Sequence, residues 1–216
     1  MKKAGYLLLA ALLSLTMLAG CQKASGETKE ESTEGRTEKE EAEKEEAKDL
    51  LSGKHHVEIQ VKDYGTIKVE LDADAAPVTV TNFVDLAKEG FYDGLTFHRI
   101  MSGFMIQGGD PRGDGTGGSD KTIKGEFATN GVENNLSHTR GAISMARSRA
   151  NDSASSQFFI VHEDSKHLDG SYAAFGYVTE GMEVVDQICE DARPTDDNGT
   201  IPSEEQPVIE TVKVID

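Results

Sequence analysis

The apolar residues of the chain follow three different patterns. Residues 7–18 form an almost unbroken apolar run directly after a short basic start. Residues 22–53 are rich in Glu, Lys, Ser, Thr and Gly and contain no aromatic residue. From residue 54 to residue 216, short apolar segments alternate with turn residues. The pattern predicts one folded domain over 54–216, preceded by two segments of a different kind.

β-Strands are the main element that the third pattern predicts. Residues 57–61 and 67–71 place apolar side chains at every second position, and a turn at 63–65 separates them. This alternation is typical of a β-hairpin with one buried face. Further strands are predicted at 96–100, 105–108, 141–146, 157–162, 173–178 and 208–215.

Two helices complete the predicted domain. Pro77 suits the first turn of a helix, and the apolar residues after it follow helical spacing until Gly90. A second helix is predicted from Gly181 to Cys189. Because many short strands accompany only two helices, we expect a mainly β domain built as a closed or nearly closed β-barrel.

The N-terminal apolar run predicts export from the cytoplasm. The run is too short for a transmembrane helix, which needs roughly 20 apolar residues. It ends at residues 18–21 (LAGC), which resemble the lipobox of bacterial lipoproteins. The resemblance implies that residues 1–20 are a signal peptide that is removed, and that Cys21 is lipidated. We therefore expect an extracytoplasmic protein anchored to the cell membrane; an ordinary secretory signal with a chance cysteine is the alternative.

Residues 21–53 carry the predicted lipid anchor and form a tether to the domain. Such a composition buries too little apolar surface to offset the entropy of ordering, so we expect a disordered acidic segment. The whole chain has a net charge of −17, and residues 54–216, with 28 acidic and 14 basic side chains, contribute −14. This charge argues against a nucleic-acid partner, because phosphate binding needs clustered Lys and Arg.

The sequence offers little to a metal ion, a cofactor or a disulfide. Cys21 and Cys189 are the only cysteines, and Cys189 falls in the second predicted helix, where we expect a small core residue. The adjacent His55 and His56 would point to opposite faces of a strand and make a poor chelate. We expect neither a metal nor a cofactor.

Two further motifs point only weakly to chemistry. Residues 108–118 are glycine-rich, but they contain two Asp and lack the Gly-Lys-Ser/Thr ending of a phosphate loop, so a surface loop is predicted. Ser155, His162 and Asp164 have the residue types of a hydrolytic triad, but no nucleophile elbow accompanies them. Neither motif is expected to be catalytic.

Five separated segments carry a more specific pattern: 97–110 (FHRIMSGFMIQGGD), 115–118 (GTGG), 141–146 (GAISMA), 155–160 (SSQFFI) and 168–170 (LDG) followed by FG at 175–176. In this order they resemble the cyclophilin family of peptidyl-prolyl cis-trans isomerases, and the resemblance extends over essentially all of 54–216. It implies a closed eight-stranded antiparallel β-barrel capped by two α-helices.

The resemblance also implies roles for individual residues. Arg99 matches the catalytic arginine of the family, and Gln107 matches the residue that steadies it. The other matches form the substrate site: Phe104, Met105, Phe159 and Leu168 as walls of a proline pocket, and Gly115, Ala146, Arg147, Gln157, His167 and Tyr172 around it.

Three of these positions depart from the residues that are common in the family. His167 stands where many members have a Trp that contacts the drug cyclosporin, so weak cyclosporin binding is expected. Tyr172 replaces a common His, and Arg147 replaces a frequent Asn at a position where the family uses mainly backbone groups. None of the three changes implies a loss of activity.

The resemblance implies an enzyme that accelerates isomerisation of X–Pro bonds in proline-containing polypeptides, with Arg99 as hydrogen-bond donor to the prolyl nitrogen. We expect a monomer that assists the folding of secreted or surface proteins. Two alternatives stay open. One is a proline-peptide-binding module or holdase chaperone with incidental isomerase activity, and the other is an adhesin or structural lipoprotein that merely displays the domain.

Overall fold

The computed structural model describes residues 50–216. The predicted signal peptide, Cys21 and most of the tether lie outside the described residues. Within the described part, the secondary structure consists of two α-helices, α1 (Pro77–Lys88) and α2 (Met182–Asp191), three short 3₁₀ turns and eight strands. The strands are β1 (Lys54–Val61), β2 (Gly65–Asp72), β3 (Phe97–Met101), β4 (Met105–Gly108), β5 (Ala142–Met145), β6 (Phe158–Val161), β7 (Ala174–Glu180) and β8 (Ile209–Val214).

Sequence and structure agree closely on these elements. The predicted hairpin, both helices and all the further strands are present, with ends that lie within three residues of the predicted ones. In the hairpin, β1 pairs with β2 from Lys54 opposite Asp72 to Val61 opposite Gly65. Every second residue is buried from Val57 to Val61 and from Ile67 to Leu71, which is the pattern expected for a sheet with one face against the core.

The strands form one antiparallel sheet in the order β3-β4-β6-β5-β7-β2-β1-β8, and it curls into a half-barrel. In residues 50–216 no continuous ladder joins the end strands β3 and β8. A bridge from Thr96 to Val208 connects them, together with hydrogen bonds such as the one from Ile209 N–H to Leu95 O at 2.7 Å. The mainly β, eight-stranded fold is confirmed, whereas the fully closed barrel is not.

A loop explains why β3 is not paired with β8 along its length. Ile100 N–H donates to Gly199 O at 2.8 Å, and Ile201 N–H donates to His98 O at 3.0 Å. The outer edge of β3 is therefore occupied by residues 199–201, and β8 meets only the residues that precede β3.

A large apolar cluster, which we call the core cluster, joins one face of the sheet to both helices. Cys189 of α2 belongs to it and is 5% exposed, and burial raises the pKa of its thiol to about 12, as a core cysteine requires. Among its largest side chains are five completely buried aromatic residues with neighbouring rings 5.0 to 6.0 Å apart: Phe83, Tyr92, Phe97, Phe158 and Phe175.

Helix α1 is capped by a residue from a distant loop. Pro77 occupies its first turn, and Ala76 before it offers no side-chain cap. The buried Glu126 carboxylate accepts hydrogen bonds from Val78 N–H at 3.0 Å, from Thr79 N–H at 2.8 Å and from Thr79 Oγ1 at 2.6 Å. Glu126 thus satisfies backbone donors that a helix start leaves without intrahelical partners.

A second, smaller apolar cluster lies on the opposite face of β4 and β6. Met105 and Phe159 belong to it, whereas their neighbours Ile106 and Phe158 belong to the core cluster. We call it the pocket cluster, because it borders the candidate site. Among residues 50–216, no helix is both long enough and apolar enough to cross a bilayer.

Candidate active site

The pocket cluster surrounds a cavity of about 210 Å³, which we call the apolar cavity. Its apolar walls come from different elements because β4, β6 and the turns beside them converge there. Of the site residues predicted from the sequence, nine line this cavity: Arg99, Phe104, Met105, Gln107, Ala146, Arg147, Phe159, Leu168 and Tyr172.

The strand register brings the walls together. Gln107 of β4 lies directly opposite Phe159 of β6, so both side chains point to the same face of the sheet. Met105 comes two residues before Gln107 and therefore shares that face. Leu168 ends the 3₁₀ turn Lys166–Leu168 and covers the cavity from the side.

Arg99 of β3 begins a chain of polar contacts. Its Nη1 donates to Gln107 Oε1 at 3.1 Å, and Gln107 Nε2 donates to Gln157 Oε1 at 2.9 Å. Gln157 Nε2 in turn donates to the carbonyl oxygens of Gly117 at 2.7 Å and Gly115 at 3.2 Å. These bonds connect the arginine to the glycine-rich loop through two amide side chains.

Further contacts hold the guanidinium group of Arg99. Its Nε donates to Asn198 O at 2.7 Å, its Nη2 lies 3.1 Å from Met101 Sδ, and its central carbon lies 6.0 Å from the centre of the Phe104 ring. Burial lowers the pKa of Arg99, while Tyr172 acts in the opposite direction. An arginine stays protonated in proteins, so a cationic donor stands beside the apolar cavity.

A second cavity of about 340 Å³ adjoins the first, and we call it the polar cavity. Gln107, Ala146 and Arg147 line both cavities, so the two form one groove. Gly115 and Gln157 line the polar cavity, and the other side chains in it are mostly hydroxyls: Thr116, Ser119, Ser148, Ser153 and Ser155.

The glycine-rich segment folds as the predicted surface loop. The buried Asp110 carboxylate accepts hydrogen bonds from Arg112 N–H at 2.8 Å and from Gly115 N–H at 2.6 Å. Gly115 has a φ of +84°, a left-handed conformation that glycine adopts without strain. The loop therefore forms a wall of the polar cavity.

Arg147 lies where the two cavities meet, and its side chain is held in a fixed position. Its guanidinium carbon lies 5.0 Å from the centre of the Phe127 ring and 4.8 Å from that of Tyr172. Its Nε and Nη2 both donate to Ser171 O, at 3.0 and 2.8 Å. The Arg147 side chain is therefore stacked and hydrogen-bonded. The Asn that is frequent at this position in the family did not suggest these contacts.

His167 is the one predicted site residue that lines neither cavity. Its exposed ring lies beside Phe104, with 5.9 Å between the ring centres. It therefore borders the groove from outside.

The weakly supported hydrolytic triad does not assemble. His162 Nδ1 accepts a hydrogen bond from Gly103 N–H at 2.8 Å, and its Nε2 lies 3.1 Å from Asp186 Oδ1. Asp164 instead accepts a hydrogen bond from Arg140 N–H at 2.9 Å. Ser155 lies in the polar cavity, with neither of these side chains in the cavity lining.

A different Ser–His–Asp arrangement, which the sequence did not reveal, lies behind the pocket cluster. His138 Nε2 lies 2.9 Å from Ser144 Oγ, and His138 Nδ1 lies 2.8 Å from Asp169 Oδ1. Ser144 is completely buried, so no substrate reaches its oxygen. The His138 ring stacks against Phe159 with 6.0 Å between ring centres, which makes the arrangement a structural support for the cavity wall.

Comparisons with known proteins agree with this geometry. Residues 56–214 match the family model described as cyclophilin type peptidyl-prolyl cis-trans isomerase/CLD. Peptidyl-prolyl cis-trans isomerase B of Bacillus subtilis is 54% identical over 123 residues, which is 57% of this chain and 82% of that protein. A peptidyl-prolyl cis-trans isomerase of Helicobacter pylori is 50% identical over 126 residues, covering 57% of this chain and 74% of the relative.

A solved structure resembles the domain as well. The cyclophilin type peptidyl-prolyl cis-trans isomerase of Cryptosporidium parvum, crystallised in the presence of the dipeptide Ala-Pro, superposes with a TM-score of 0.66 at 30% identity. The match covers 74% of this chain and 99% of that one. Because the family model matches most of this chain, the chain belongs to the cyclophilin-type peptidyl-prolyl cis-trans isomerases, a family of enzymes.

Proposed function

We propose that this enzyme isomerises X–Pro bonds by holding the proline ring in the apolar cavity while Arg99 donates a hydrogen bond to the prolyl nitrogen. The observation that carries the proposal is the position of a fixed guanidinium group beside an apolar cavity of about 210 Å³. A cavity of this kind suits a small apolar ring, and the arginine adds a permanent donor at its edge.

The chemistry of the reaction explains why these two features belong together. Resonance in the peptide bond sets a rotation barrier of about 18–20 kcal/mol. In the twisted transition state that resonance is lost, and the prolyl nitrogen regains a lone pair. A donor aimed at this nitrogen forms its hydrogen bond only in the transition state, so it lowers the barrier without tightening the ground state.

The walls of the apolar cavity hold the ring while the preceding carbonyl turns. Once the ring fills the cavity, Phe104, Met105, Phe159 and Leu168 exclude water around it, which strengthens the contact from Arg99. The polar cavity, with Gly115 at its loop, lies where residues before the proline would run, and Ala146 and Arg147 lie between the two. The crystallisation of the Cryptosporidium parvum relative in the presence of the dipeptide Ala-Pro supports a groove that takes proline-containing peptides.

A protease-coupled isomerisation assay tests the mechanism, using residues 22–216 and a short peptide with a cis X–Pro bond. We expect Arg99→Ala to lower kcat/KM by about 10²- to 10³-fold, because it removes a preorganised donor. Arg193→Ala is the matched control, since Arg193 is exposed and bonds only backbone carbonyls at the end of α2. Unchanged turnover by a folded Arg99→Ala variant removes Arg99 from the mechanism.

The binding-module alternative uses the same cavity but gives Arg99 no catalytic role. The two are separated by the aggregation of an unfolded client protein with and without the Arg99→Ala variant. Enzymatic assistance of folding predicts that protection is lost with the arginine. Protection that survives the substitution, together with negligible turnover by the unaltered chain, supports a holdase.

We also propose that the enzyme works outside the cytoplasm as a lipid-anchored monomer on secreted or surface proteins. The proposal rests on the lipobox-like residues 18–21 and on the composition of 21–53, whose extended reach would be about 110 Å at ~3.5 Å per residue. In bacteria that process lipoproteins, Cys21→Ser should move the protein from the membrane fraction to the soluble fraction. Mass spectrometry of the membrane form should find acyl groups on Cys21, and an unmodified Cys21 refutes the anchor.

A further inference from the structure

A loop that no sequence motif connected with the site lies against the edge of β3, the strand that carries Arg99. Residues 195–201, which we call the Asp196 loop, form a bridge between Thr200 and Arg99. On either side of the arginine, Ile100 N–H donates to Gly199 O and Ile201 N–H donates to His98 O, at 2.8 and 3.0 Å. The loop is therefore fastened to the backbone of the strand that carries Arg99.

The Asp196 carboxylate fixes the shape of this loop through hydrogen bonds to other residues of the loop. Its Oδ1 accepts hydrogen bonds from Asn198 N–H and from Thr200 N–H, both at 3.0 Å, and its Oδ2 accepts one from Thr200 Oγ1 at 2.9 Å. Hydrogen bonds from the Thr200 backbone and side chain hold the pKa of Asp196 below its usual range, so it stays ionised at neutral pH. An Asp that bonds the backbone two and four residues ahead fixes a turn in one shape.

The fixed turn presents one backbone oxygen to the site. Asn198 O accepts the hydrogen bond from Arg99 Nε at 2.7 Å, while Gln107 Oε1 accepts the one from Nη1. A single anchor would leave the planar guanidinium group free to rotate about that bond. Two anchors on different nitrogens define its plane, which decides where the remaining N–H groups point.

A glycine in the same loop makes the close approach possible. Gly199 has a φ of +86°, and a Cβ at this position would lie 2.5 Å from Met101 Cγ and 2.7 Å from Ile100 O. The loop therefore packs against β3 at a distance that only glycine permits. This contact leaves little room for the Asn198 carbonyl to move away from Arg99.

We propose that Asp196 is a positioning residue for isomerisation: it fixes the Asn198 carbonyl, and through it the plane of the Arg99 guanidinium group, without touching the substrate. The inference rests on the proposed role of Arg99. Asp196 also places a negative charge near the arginine, which favours its protonated form. The two effects act on the same side chain, and both disappear when the carboxylate is removed.

The test compares Asp196→Ala with Asp197→Ala, which removes the same charge from the exposed neighbouring residue. We expect Asp196→Ala to lower kcat/KM about tenfold, because a small misplacement of a catalytic group is costly. The Kd of a proline peptide should stay unchanged, since the walls of the apolar cavity are intact. Asp197→Ala should behave as the unaltered chain. Asp196→Asn should recover most of the activity, because its amide oxygen can accept the two backbone hydrogen bonds that Oδ1 accepts from Asn198 and Thr200.

A double-mutant cycle separates positioning from a general structural role. In the Arg99→Ala background, Asp196→Ala should cause no further loss, because there is no guanidinium group left to position. An additive loss in that background, or full activity of Asp196→Ala alone, overturns the proposal.

A spectroscopic measurement keeps the inference independent of the proposed mechanism. The Nε–H resonance of Arg99 in a ¹H–¹⁵N spectrum should be protected from solvent exchange, and Asp196→Ala should remove that protection while Asp197→Ala does not. If Arg99→Ala proves fully active, the proposed function fails, and this resonance still decides whether Asp196 positions the side chain. An unchanged resonance in Asp196→Ala contradicts the positioning role.

Discussion

Phe158 and Phe159 are identical neighbours on β6 that serve two different apolar clusters. Phe158 is completely buried, and its ring meets Phe83 and Tyr92 nearly edge-on, at 5.4 and 5.6 Å between ring centres. Phe159 is 5% exposed and lines the apolar cavity beside Tyr172, at 6.0 Å. Because successive side chains of a strand point to opposite faces, one step along the chain separates the sealed core from the site.

The comparison shows how one sheet both stabilises the fold and borders the candidate site. On β4 the same division recurs, since Ile106 joins the core cluster and Met105 lines the apolar cavity. The core face is close-packed, so it contributes through burial and dispersion. The pocket face leaves a cavity open for a ligand and gives up part of that burial.

The largest expected difference is between Phe158→Ala and Phe159→Ala. Phe158→Ala removes a completely buried ring and should lower the free energy of unfolding by about 3–5 kcal/mol. Phe159→Ala enlarges a cavity that solvent already reaches, so we expect a loss nearer to about 2 kcal/mol. Urea denaturation of both variants measures the two losses.

The losses of activity in the two variants should follow the opposite order to the losses of stability. Under conditions in which both are folded, Phe159→Ala should lower kcat/KM about a hundredfold, because in the proposed mechanism the proline ring loses a wall and shifts relative to Arg99. Phe158→Ala should keep kcat/KM within a few-fold of the unaltered chain. Equal losses of stability, or equal losses of activity, would contradict the division between the two faces.

The division between the core face and the pocket face can be predicted from the sequence, because it depends on the order of neighbouring residues along a strand. The strands predicted at 105–108 and 157–162 place successive side chains on opposite faces, and the family resemblance assigns Met105 and Phe159 to the pocket. The structure brings both to one cavity with Arg99. The strands and helices were predictable for the same reason, since each depends on a short run of neighbouring residues.

What the sequence did not predict depends on contacts between distant parts of the chain. The hydrogen bond from Arg99 to Asn198 spans 99 positions and uses a backbone carbonyl, so residue type gives no sign of it. The closed barrel was expected, but residues 199–201 occupy the edge of β3 instead of β8. Pairing of this kind is set by how a loop folds back on a sheet, which has no periodic pattern.

Glu126→Ala should have an effect of intermediate size, which concerns the stability of the core side. Glu126→Ala leaves three donors of the first turn of α1 without their partner, two of them on Thr79. Since buried donors without partners are costly, we expect the free energy of unfolding to fall by about 1–3 kcal/mol. The value of kcat/KM should stay unchanged, because α1 packs on the core cluster.

Glu133→Ala is the matched control for this prediction. Glu133 is an exposed glutamate seven residues further along, and it bonds only the Asn135 side chain. Thermal denaturation should distinguish the two variants by several degrees in Tm. Equal Tm values for both would mean that Glu126 does not cap the helix in solution.

The smallest expected effect is a pH dependence that comes from two buried histidines, His138 and His98. Burial lowers the pKa of His138 from its ordinary 6.5, and this outweighs the opposite effect of Asp169; burial also lowers the pKa of His98. The unfolded chain therefore binds more protons than the folded chain below about pH 6.5, so stability should fall as the pH decreases from 7.5 to 5. Asp169 and Asp196, whose pKa values lie below their usual range, contribute at lower pH.

Single and double substitutions assign this slope to the two histidines. His138→Asn and His98→Asn should each reduce the change in unfolding free energy between pH 7.5 and pH 5, and the double variant should reduce it more than either single variant. Urea denaturation at both pH values gives the slope, which is independent of the stability that each substitution costs at neutral pH. Because His138 stacks on Phe159, only its substitution should also weaken the binding of a proline peptide. A slope that is unchanged in the double variant would show that other groups control the pH dependence, and it would remove His138 as a link between stability and the pocket.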